Sequence, residues 1–294
     1  MWCDWDNPAN AGRHTNRSDT LRFDPPLWNE LIDAMVEAGM NLVVIDLGEG
    51  VRYESHPELA VRGSWEPARL RDELKRLRAK GVEPIPKLNF SATHDAWLGP
   101  YSRMLSTDTY YGVCKDLIAE VSALFDRPRF FHLGMDEETA EHQARFEYAV
   151  IRQHDLWWRD FLFLVAQVEQ AGLRPWIWSD FIWGHKDDFL KRMPKSVIQS
   201  NWYYGKDFGP DRKHVEAYHW LADAGYDQIP TGSNWSNPDN FGMTVEYLSK
   251  AIPGDHLLGF LQTPWHPTVA SDRDHHLAAI AQVRTARARR AGGG

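Results

Sequence analysis

The sequence predicts a (β/α)8 TIM barrel, an α/β fold made by a single domain over residues 1–294. Three observations lead there. Short β-branched or aromatic runs alternate with amphipathic stretches from end to end. Eight such pairs are readable in order, and a length of 294 residues suits a barrel of eight of them. No linker or low-complexity segment interrupts the alternation, and a doubly wound sheet is the alternative architecture.

The first strand is expected over Met1 to Asp6, followed by a polar loop, Asn7 to Pro25, and a helix from Pro26 to Ala38. NLVVIDLG (Asn41 to Gly48) has the continuous apolar character of a buried strand. The next helix, PARLRDELKRLRAKG, ends on Gly81, the residue type that most readily takes the left-handed conformation closing a helix. VEPIPKLNF (Val82 to Phe90) is the third strand, and Thr107 to Phe125 has helical spacing with Asp108 as an early acidic residue. RFFHLGMDEE (Arg129 to Glu138) is the fourth strand. A longer connection enters a helix ending at AGLRP, and PWIWSD (Pro175 to Asp180) is the fifth strand. SVIQSNWYYG, GYDQIPTGSNW and LLGFLQTPW supply the sixth to eighth, and a final helix runs from Asp272 to about Arg290.

Composition excludes several classes of function. The apolar fraction of 43% with 25% charged residues is that of a globular protein. A net charge of −8, with no basic stripe through the body of the chain, argues against nucleic acid as a partner. No apolar run approaches the ~18 residues that span a bilayer, so no membrane association is expected. MWCDWDNP is neither basic nor apolar enough for a leader, so the sequence as written reads as cytoplasmic, or as secreted where an upstream signal has been removed. Cys3 and Cys114 have no metal-pair spacing and read as buried thiols. GEG after the second strand lacks the rest of a phosphate loop, and no Gly-x-Ser-x-Gly elbow occurs, so no nucleotide cofactor is expected. Thirteen histidines raise a metal reading, but there is no His-Glu-x-x-His and no His-x-His after the first strand; no metal is expected.

In a barrel, function sits at the C-terminal ends of the strands. Those positions hold Asp4 and Asp6, Asp46 and Glu49, Asn89 and His94, Asp136 and Glu137, Trp178 and Asp180, Asn201 to Tyr204 with Trp202 between them, Asn234 and Trp235, and Gln262, Trp265 and His266. Fourteen Trp in 294 residues is a high share, and many lie just past strand-like runs. Polar edges that hydrogen-bond and aromatic faces that stack are what a pocket for a hydroxylated ring needs. The sharpest local feature is HLGMDEE, His132 to Glu138. Cleavage of a glycosidic bond requires an acid for the leaving oxygen and a group that stabilises positive charge at the anomeric carbon. Adjacent Asp136 and Glu137 supply both only where the strand ends and the chain turns, because an extended chain sends neighbours to opposite faces. Gly134, just before that turn, permits a close backbone approach. His132, inside the strand, reads as structural, and His275 and His276 are expected on the solvated face of the last helix. Asn16, Asn89 and Asn234 stand in Asn-x-Ser/Thr triplets, which recur by chance.

HLGMDE resembles the His-x-Gly-Gly-Asp-Glu signature of the family 20 glycoside hydrolases, the β-N-acetylhexosaminidases. MNLVVIDLGEG is similar to that family's second strand, and GSWEPARLRDELKRLRAKGVEPIPKLNFSATH to its second helix, third strand and Pro-Gly-His element, with His94 on the histidine. The resemblance covers about Leu27 to Glu138; beyond that only Trp-bearing strand ends match. It implies Glu137 as general acid and base, protonated near neutral pH, and Asp136 as the residue that orients the 2-acetamido group. That group then attacks the anomeric carbon itself, an exception to the two-carboxylate scheme. It further implies Trp178, Trp202, Trp235 and Trp265 as a wall for the sugar, with His94 on the family's histidine, and no cofactor. Asp46, Asp180 and Tyr204, by their strand-end positions, are further candidate substrate contacts, with pairing to a helix end or an arginine the equal alternative for Asp46 and Asp180. The sequence departs from the pattern at Met135, in place of the second Gly, and at Ala92 and Thr93, in place of Pro-Gly. The family's seventh-strand tyrosine has no clear counterpart among Asn234, Trp235, Asp239, Tyr203 and Tyr204. Trp-x-Glu is Trp265, His266, Pro267, and the sugar-gripping arginine falls on Arg13 or Arg17.

The partner expected is thus an amino-sugar glycoside, GlcNAc or GalNAc. A homo-oligomer is compatible with the long Asn7 to Pro25 loop, which could close a pocket with a partner subunit. Two competing readings are a retaining glycosidase with a carboxylate nucleophile such as Asp46 or Asp180, and a catalytically silent sugar-binding barrel.

Overall fold

The structure is a computed structural model that describes residues 18–144, 146, 148–209 and 211–292. The expected first strand, Met1 to Asp6, lies outside the described residues, as do Cys3, Arg13 and Arg17. The described chain alternates α1 (Pro25–Glu37), β1 (Leu42–Asp46), α2 (Pro67–Ala79), β2 (Glu83–Lys87), α3 (Asp108–Leu124), β3 (Phe130–His132), α4 (His154–Gln170) and β4 (Arg174–Trp178). It continues with α5 (Ile182–Arg192), β5 (Ile198–Ser200), α6 (Lys213–Asp223), β6 (Thr231–Ser233), α7 (Asn240–Ala251), β7 (Leu261–Thr263) and α8 (Arg273–Gly292). Each strand stops before the end of the stretch that the apolar pattern marks, and all begin within it except β4, which starts one residue earlier, at Arg174. Residues such as Asn89, Asp136 and Trp235 continue the pattern of the sequence after the ladder has ended.

The chain divides into two compact units. The first contains 42–176 with the segment up to Arg22. Here β1, β2, β3 and β4 lie side by side in that order, all parallel. Register runs from Leu42↔Glu83 to Asp46↔Lys87, through Lys87↔His132, to Phe130↔Arg174 and His132↔Trp176. Parallel neighbours need crossovers, and helices supply them. α2 starts with Pro67 in its first turn and buries Leu70, Leu74 and Leu77, one stripe at helical spacing. In α3 the Thr107 hydroxyl caps the N-terminus by accepting from the Tyr110 N–H at 3.3 Å, and Cys114 is among the buried residues. α4 packs on α3 and buries Trp157, Trp158, Phe161 and Leu164, with Trp157 stacked on Phe161 at 4.9 Å between centroids. Trp97, Trp157, Trp158 and Trp176 are all core residues. The high tryptophan content therefore belongs in part to packing.

The second unit contains 23–41 and 177–294. The Ser179 N–H donates to Ser200 O, and parallel bridges Gln199↔Gln228, Trp202↔Thr231 and Gln228↔Leu257 connect the strand segments that follow, with β6 and β7 paired in register Thr231↔Leu261 to Ser233↔Thr263. α8 packs against α1 and α7, where Phe241, Val245, Val283 and Ala286 form a cluster joined by Met40 and Phe260. His276 departs from its expected place: it is 7% exposed, and its Nε2 sits 2.9 Å from Pro267 O. The helix turns this residue inward, onto the loop after β7. No helix among the described residues is long and apolar enough to cross a membrane.

His132 is fully buried at the end of β3, its Nδ1 accepting the Gly134 N–H at 3.0 Å, which places the ring proton on Nε2. Burial, followed by repulsion from the Lys87 ammonium, holds its pKa well below the usual 6.5. The unfolded chain therefore binds a proton that the folded chain refuses. This stability is present above about pH 6.5 and is lost as pH falls toward the folded value, at up to about 1.4 kcal/mol per pH unit. Urea unfolding at pH 7.5, 6 and 5 is expected to show this slope. A His132→Asn variant, which keeps an acceptor for Gly134, is expected to flatten it by about one proton.

Candidate active site

The chemistry-bearing residues of the first unit gather where β2 and β3 end. β3 stops at His132, and the next residues include three in the left-handed region: Gly134 (φ 73°), Met135 (φ 76°) and Glu137 (φ 58°). The chain thus turns immediately, and the two adjacent carboxylates face the same imidazole. His94 Nε2 lies 3.2 Å from Glu137 Oε2 and 3.5 Å from Asp136 Oδ2. Left-handed backbone costs a non-glycine residue ~1–2 kcal/mol. At Met135 the side chain is 1% exposed, and burying a methionine side chain contributes about 1.5–3 kcal/mol, which offsets that strain.

The turn is fixed from outside by the segment after β2. Asn89, Ser91 and Thr93 lie at every second position and meet successive residues of the second loop. Asn89 Nδ2 donates to Asp136 Oδ1 at 2.8 Å, while its Oδ1 accepts the N–H groups of Met135 at 3.2 Å and Ser91 at 3.0 Å. Ser91 Oγ donates to Asp136 O, and Thr93 Oγ1 donates to Glu137 O at 2.8 Å. The Ala92 N–H donates to Glu138 Oε2 at 3.0 Å. Gln143 Nε2 reaches both Thr93 Oγ1 at 3.1 Å and Val150 O at 3.0 Å. All of these side chains except that of Glu137 are buried or nearly so. Asn89 is 3% exposed and bonded on both amide atoms, which removes it as a glycosylation acceptor in the folded state.

The electrostatics of Glu137 differ from the sequence expectation. Burial pushes its carboxyl upward, but His142, with Nε2 3.4 Å from Oε1, and His94 hold it far below the ordinary carboxylate range. Glu137 is therefore ionised here rather than protonated near neutral pH. His94 is 2% exposed and the His142 side chain 43% exposed, so one partner is fixed in the protein and the other stands at the surface. Asp95, beside His94 in sequence, is 2% exposed, and burial raises its carboxyl well above the usual range. Donor atoms of His94, Asp136 and Glu137 lie within 4.8 Å of one another, the spacing of a group able to hold a cation, and among them His94 Nε2 hydrogen-bonds Glu137 Oε2 at 3.2 Å. Asp46, in register with Lys87 on the neighbouring strand, forms an ion pair with its ammonium. Burial raises the Asp46 carboxyl and the Lys87 charge lowers it, with a net downward result.

In the second unit the expected aromatic residues form a cluster of their own. Trp178 meets Trp265 edge to face at 5.5 Å, Trp202 stacks on Tyr204 at 5.1 Å, and Trp265 Nε1 donates to the Tyr204 hydroxyl at 2.9 Å. Trp265 is itself left-handed (φ 54°). Trp235 stands apart from the four: it is 45% exposed and touches the His266 ring at 5.5 Å, while His266 Nδ1 is 2.7 Å from Asp272 Oδ1. Asp180 is half-buried beside α5. Arg13 lies outside the described residues.

Sequence reasoning missed His142, Ser91 and the link through Thr93. The readable signal was the polar period of two, Asn89-x-Ser91-x-Thr93, although the chain past β2 turns at Ala92 and Thr93, with the His94 N–H donating to Ser91 O at 2.9 Å. No comparable pattern marked His142.

Gly134 and Gly81 test whether the turn is set by contact or by backbone conformation alone. A Cβ on Gly134 would lie 2.0 Å from Asn89 Oδ1 and 2.8 Å from Asn89 Cα, whereas one on Gly81 (φ 77°) would meet nothing within 4 Å. Gly81→Ala is expected to cost about 1 kcal/mol from φ alone. Gly134→Ala adds overpacking and is expected to cost about 3 kcal/mol or more. Chemical unfolding of both variants checks the difference.

No family profile matches the chain, and no curated protein matches it by sequence. Solved structures do. Flavobacterium johnsoniae chitobiase superposes with a TM-score of 0.65 at 17% identity, over 89% of this chain and 46% of that one. A β-N-acetylhexosaminidase from Bacteroides fragilis gives 0.62 at 15% identity over 92% and 63%. A mutant Streptomyces plicatus β-hexosaminidase in complex with its product GlcNAc gives 0.66 at 15% identity over 90% and 61%. The chain thus spans from just under half to under two-thirds of these relatives' length, and its fold is the one that family 20 β-N-acetylhexosaminidases share.

Proposed function

We propose that this chain is a glycoside hydrolase, a retaining exo-β-N-acetylhexosaminidase acting on terminal GlcNAc or GalNAc, whose βα units form one (β/α)8 barrel. The observation that carries this reading is the turn after β3, which presents neighbouring Asp136 and Glu137 to the single imidazole of His94. The shared fold with β-N-acetylhexosaminidases supports it.

In this reading the acetamido oxygen attacks the anomeric carbon while the bond to the leaving oxygen breaks. The leaving oxygen takes a proton delivered through Glu137, and an oxazolinium ring forms. Asp136 has Oδ1 occupied by Asn89, which leaves Oδ2 to accept the acetamido N–H and balance its developing charge. Water then opens the ring at the anomeric carbon, losing a proton to Glu137, and the configuration is retained. Ionised Glu137 enters this cycle as part of a hydrogen-bonded group with His94 and His142, so the acid form builds up as pH falls. Trp178, Trp202, Tyr204, Trp235 and Trp265 are assigned to sugar binding through their faces, and Asp46, Asp180 and Arg13 to substrate contacts.

Hydrolysis of β-GlcNAc, β-GalNAc, β-glucoside and β-galactoside substrates tests the proposal. Activity confined to the two N-acetyl sugars is expected, with a loss of about 10²–10⁴-fold in Glu137→Gln. Cleavage of sugars without an acetamido group would contradict it, and sugar-dependent Trp quenching without turnover would favour a silent binding barrel.

The pH dependence supplies a second check. The hydrogen bond from His142 is the largest single effect holding the Glu137 carboxyl down, and His94 lowers it as well. His142→Ala is therefore expected to raise that pKa and move the basic limb of kcat/KM to higher pH, because the acid form then persists further. An unmoved limb would remove Glu137 from the role of acid.

A further inference from the structure

We infer that Arg152 and Glu138 are positioning residues: their buried ion pair ties the loop carrying His94 to the loop carrying Glu137 and so sets the distance between them. The inference rests on the reading of Glu137 and His94 as the acid and its partner. Both charged side chains are almost fully enclosed, Arg152 at 1% and Glu138 at 2% exposure. Arg152 grips Glu138 as a two-pronged fork, with Nε donating to Oε1 at 2.8 Å and Nη2 to Oε2 at 2.6 Å, and its own backbone N–H donates to Oε1 at 2.8 Å.

The same two side chains also hold the other loop. Arg152 Nη2 donates to Phe90 O at 2.7 Å, and Glu138 Oε2 accepts the Ala92 N–H at 3.0 Å. Phe90 and Ala92 precede His94, and Glu138 follows Glu137, so the pair cross-links the backbones on both sides of the reacting groups. On its far side, Arg152 Nη1 lies 3.5 Å from Asp160 Oδ2 on α4, which anchors the fork to a helix of the core. Asp160 is fixed in turn by the Ser106 and Tyr111 hydroxyls.

A buried pair of this kind gives little net stability over an apolar replacement but is costly to break on one side. Its distinctive contribution is geometric, because a planar fork fixes direction as well as distance. A purely structural role predicts that loosening it lowers thermal stability and nothing else. The positioning role predicts that His94 and Glu137 drift relative to each other in protein that is still folded.

The test compares Glu138→Gln and Arg152→Lys, each of which leaves a polar partner in place so that the fold survives, with the wild type below its melting range. Expected is a fall in kcat of about 10–100-fold on the β-GlcNAc substrate with KM changed less than twofold, as small misplacement of a reacting group produces. The smaller loss is expected for the variant that keeps both charges, Arg152→Lys. The ¹⁵N signal of the His94 imidazole is expected to move in both variants. Lowered stability with kcat and the His94 signal unchanged would overturn the inference. If the wild type turns over no substrate, the hydrolase reading fails, while the His94 signal still decides whether the ion pair sets the geometry: a shift upholds it, and no shift overturns it.

Discussion

The constraint on which the site depends is the contact between Asn89 and the turn at Gly134. Asn89 sits so close to that backbone that no Cβ fits there, and its amide bonds Met135 on one side and Asp136 on the other. Two loops that leave adjacent parallel strands are thereby joined residue by residue. Successive carboxylates that an extended chain would send to opposite faces are instead held toward one imidazole. β2 and β3 meet at the Lys87↔His132 pairing, and the polar contacts begin two residues beyond it. The sheet delivers the two loops; hydrogen bonds convert that proximity into a geometry.

Strain and charge are both concentrated at this place. Three left-handed residues in four, two of them not glycine, are tolerated because the flanking hydrogen bonds and the buried Met135 side chain outweigh the backbone cost. Glu137 carries its charge in a largely enclosed setting, and two imidazoles stabilise it there. One of them is fully enclosed and the other is at the surface. The site thus has a fixed partner and an accessible one for the same carboxylate.

Much of the fold was legible because it is written at short range. The apolar run of NLVVIDLG, the stripe of α2 and Gly81 at its end need only neighbours in sequence to be read. The HLGMDEE turn was readable for the same reason, since a glycine two residues before a run of acids, after an apolar run, is a local pattern. The lacing was not. Asn89 and Asp136 are 47 residues apart and Arg152 and Phe90 are 62 apart, and no period in the sequence encodes such pairs. His142 was missed because an exposed histidine in an irregular segment has no local mark. Tryptophan content alone did not separate the two uses: Trp157 and Trp158 pack in the core, whereas Trp235 is exposed after β6. His276 was misplaced because the last helix has weak sidedness, and only contact with the loop at Pro267 decides which way it faces.

The central claim is that Asp136 and Glu137 are arranged for attack by the substrate's own acetamido group. Its most direct test is calorimetric titration with a stable bicyclic thiazoline of N-acetylglucosamine, which mimics the oxazolinium ring and needs no turnover. The account predicts binding at least about 100-fold tighter than N-acetylglucosamine, as expected for an intermediate-like ligand, and loss of that advantage in Asp136→Asn. Equal affinity for the thiazoline and the free sugar, or an advantage untouched by Asp136→Asn, would contradict it.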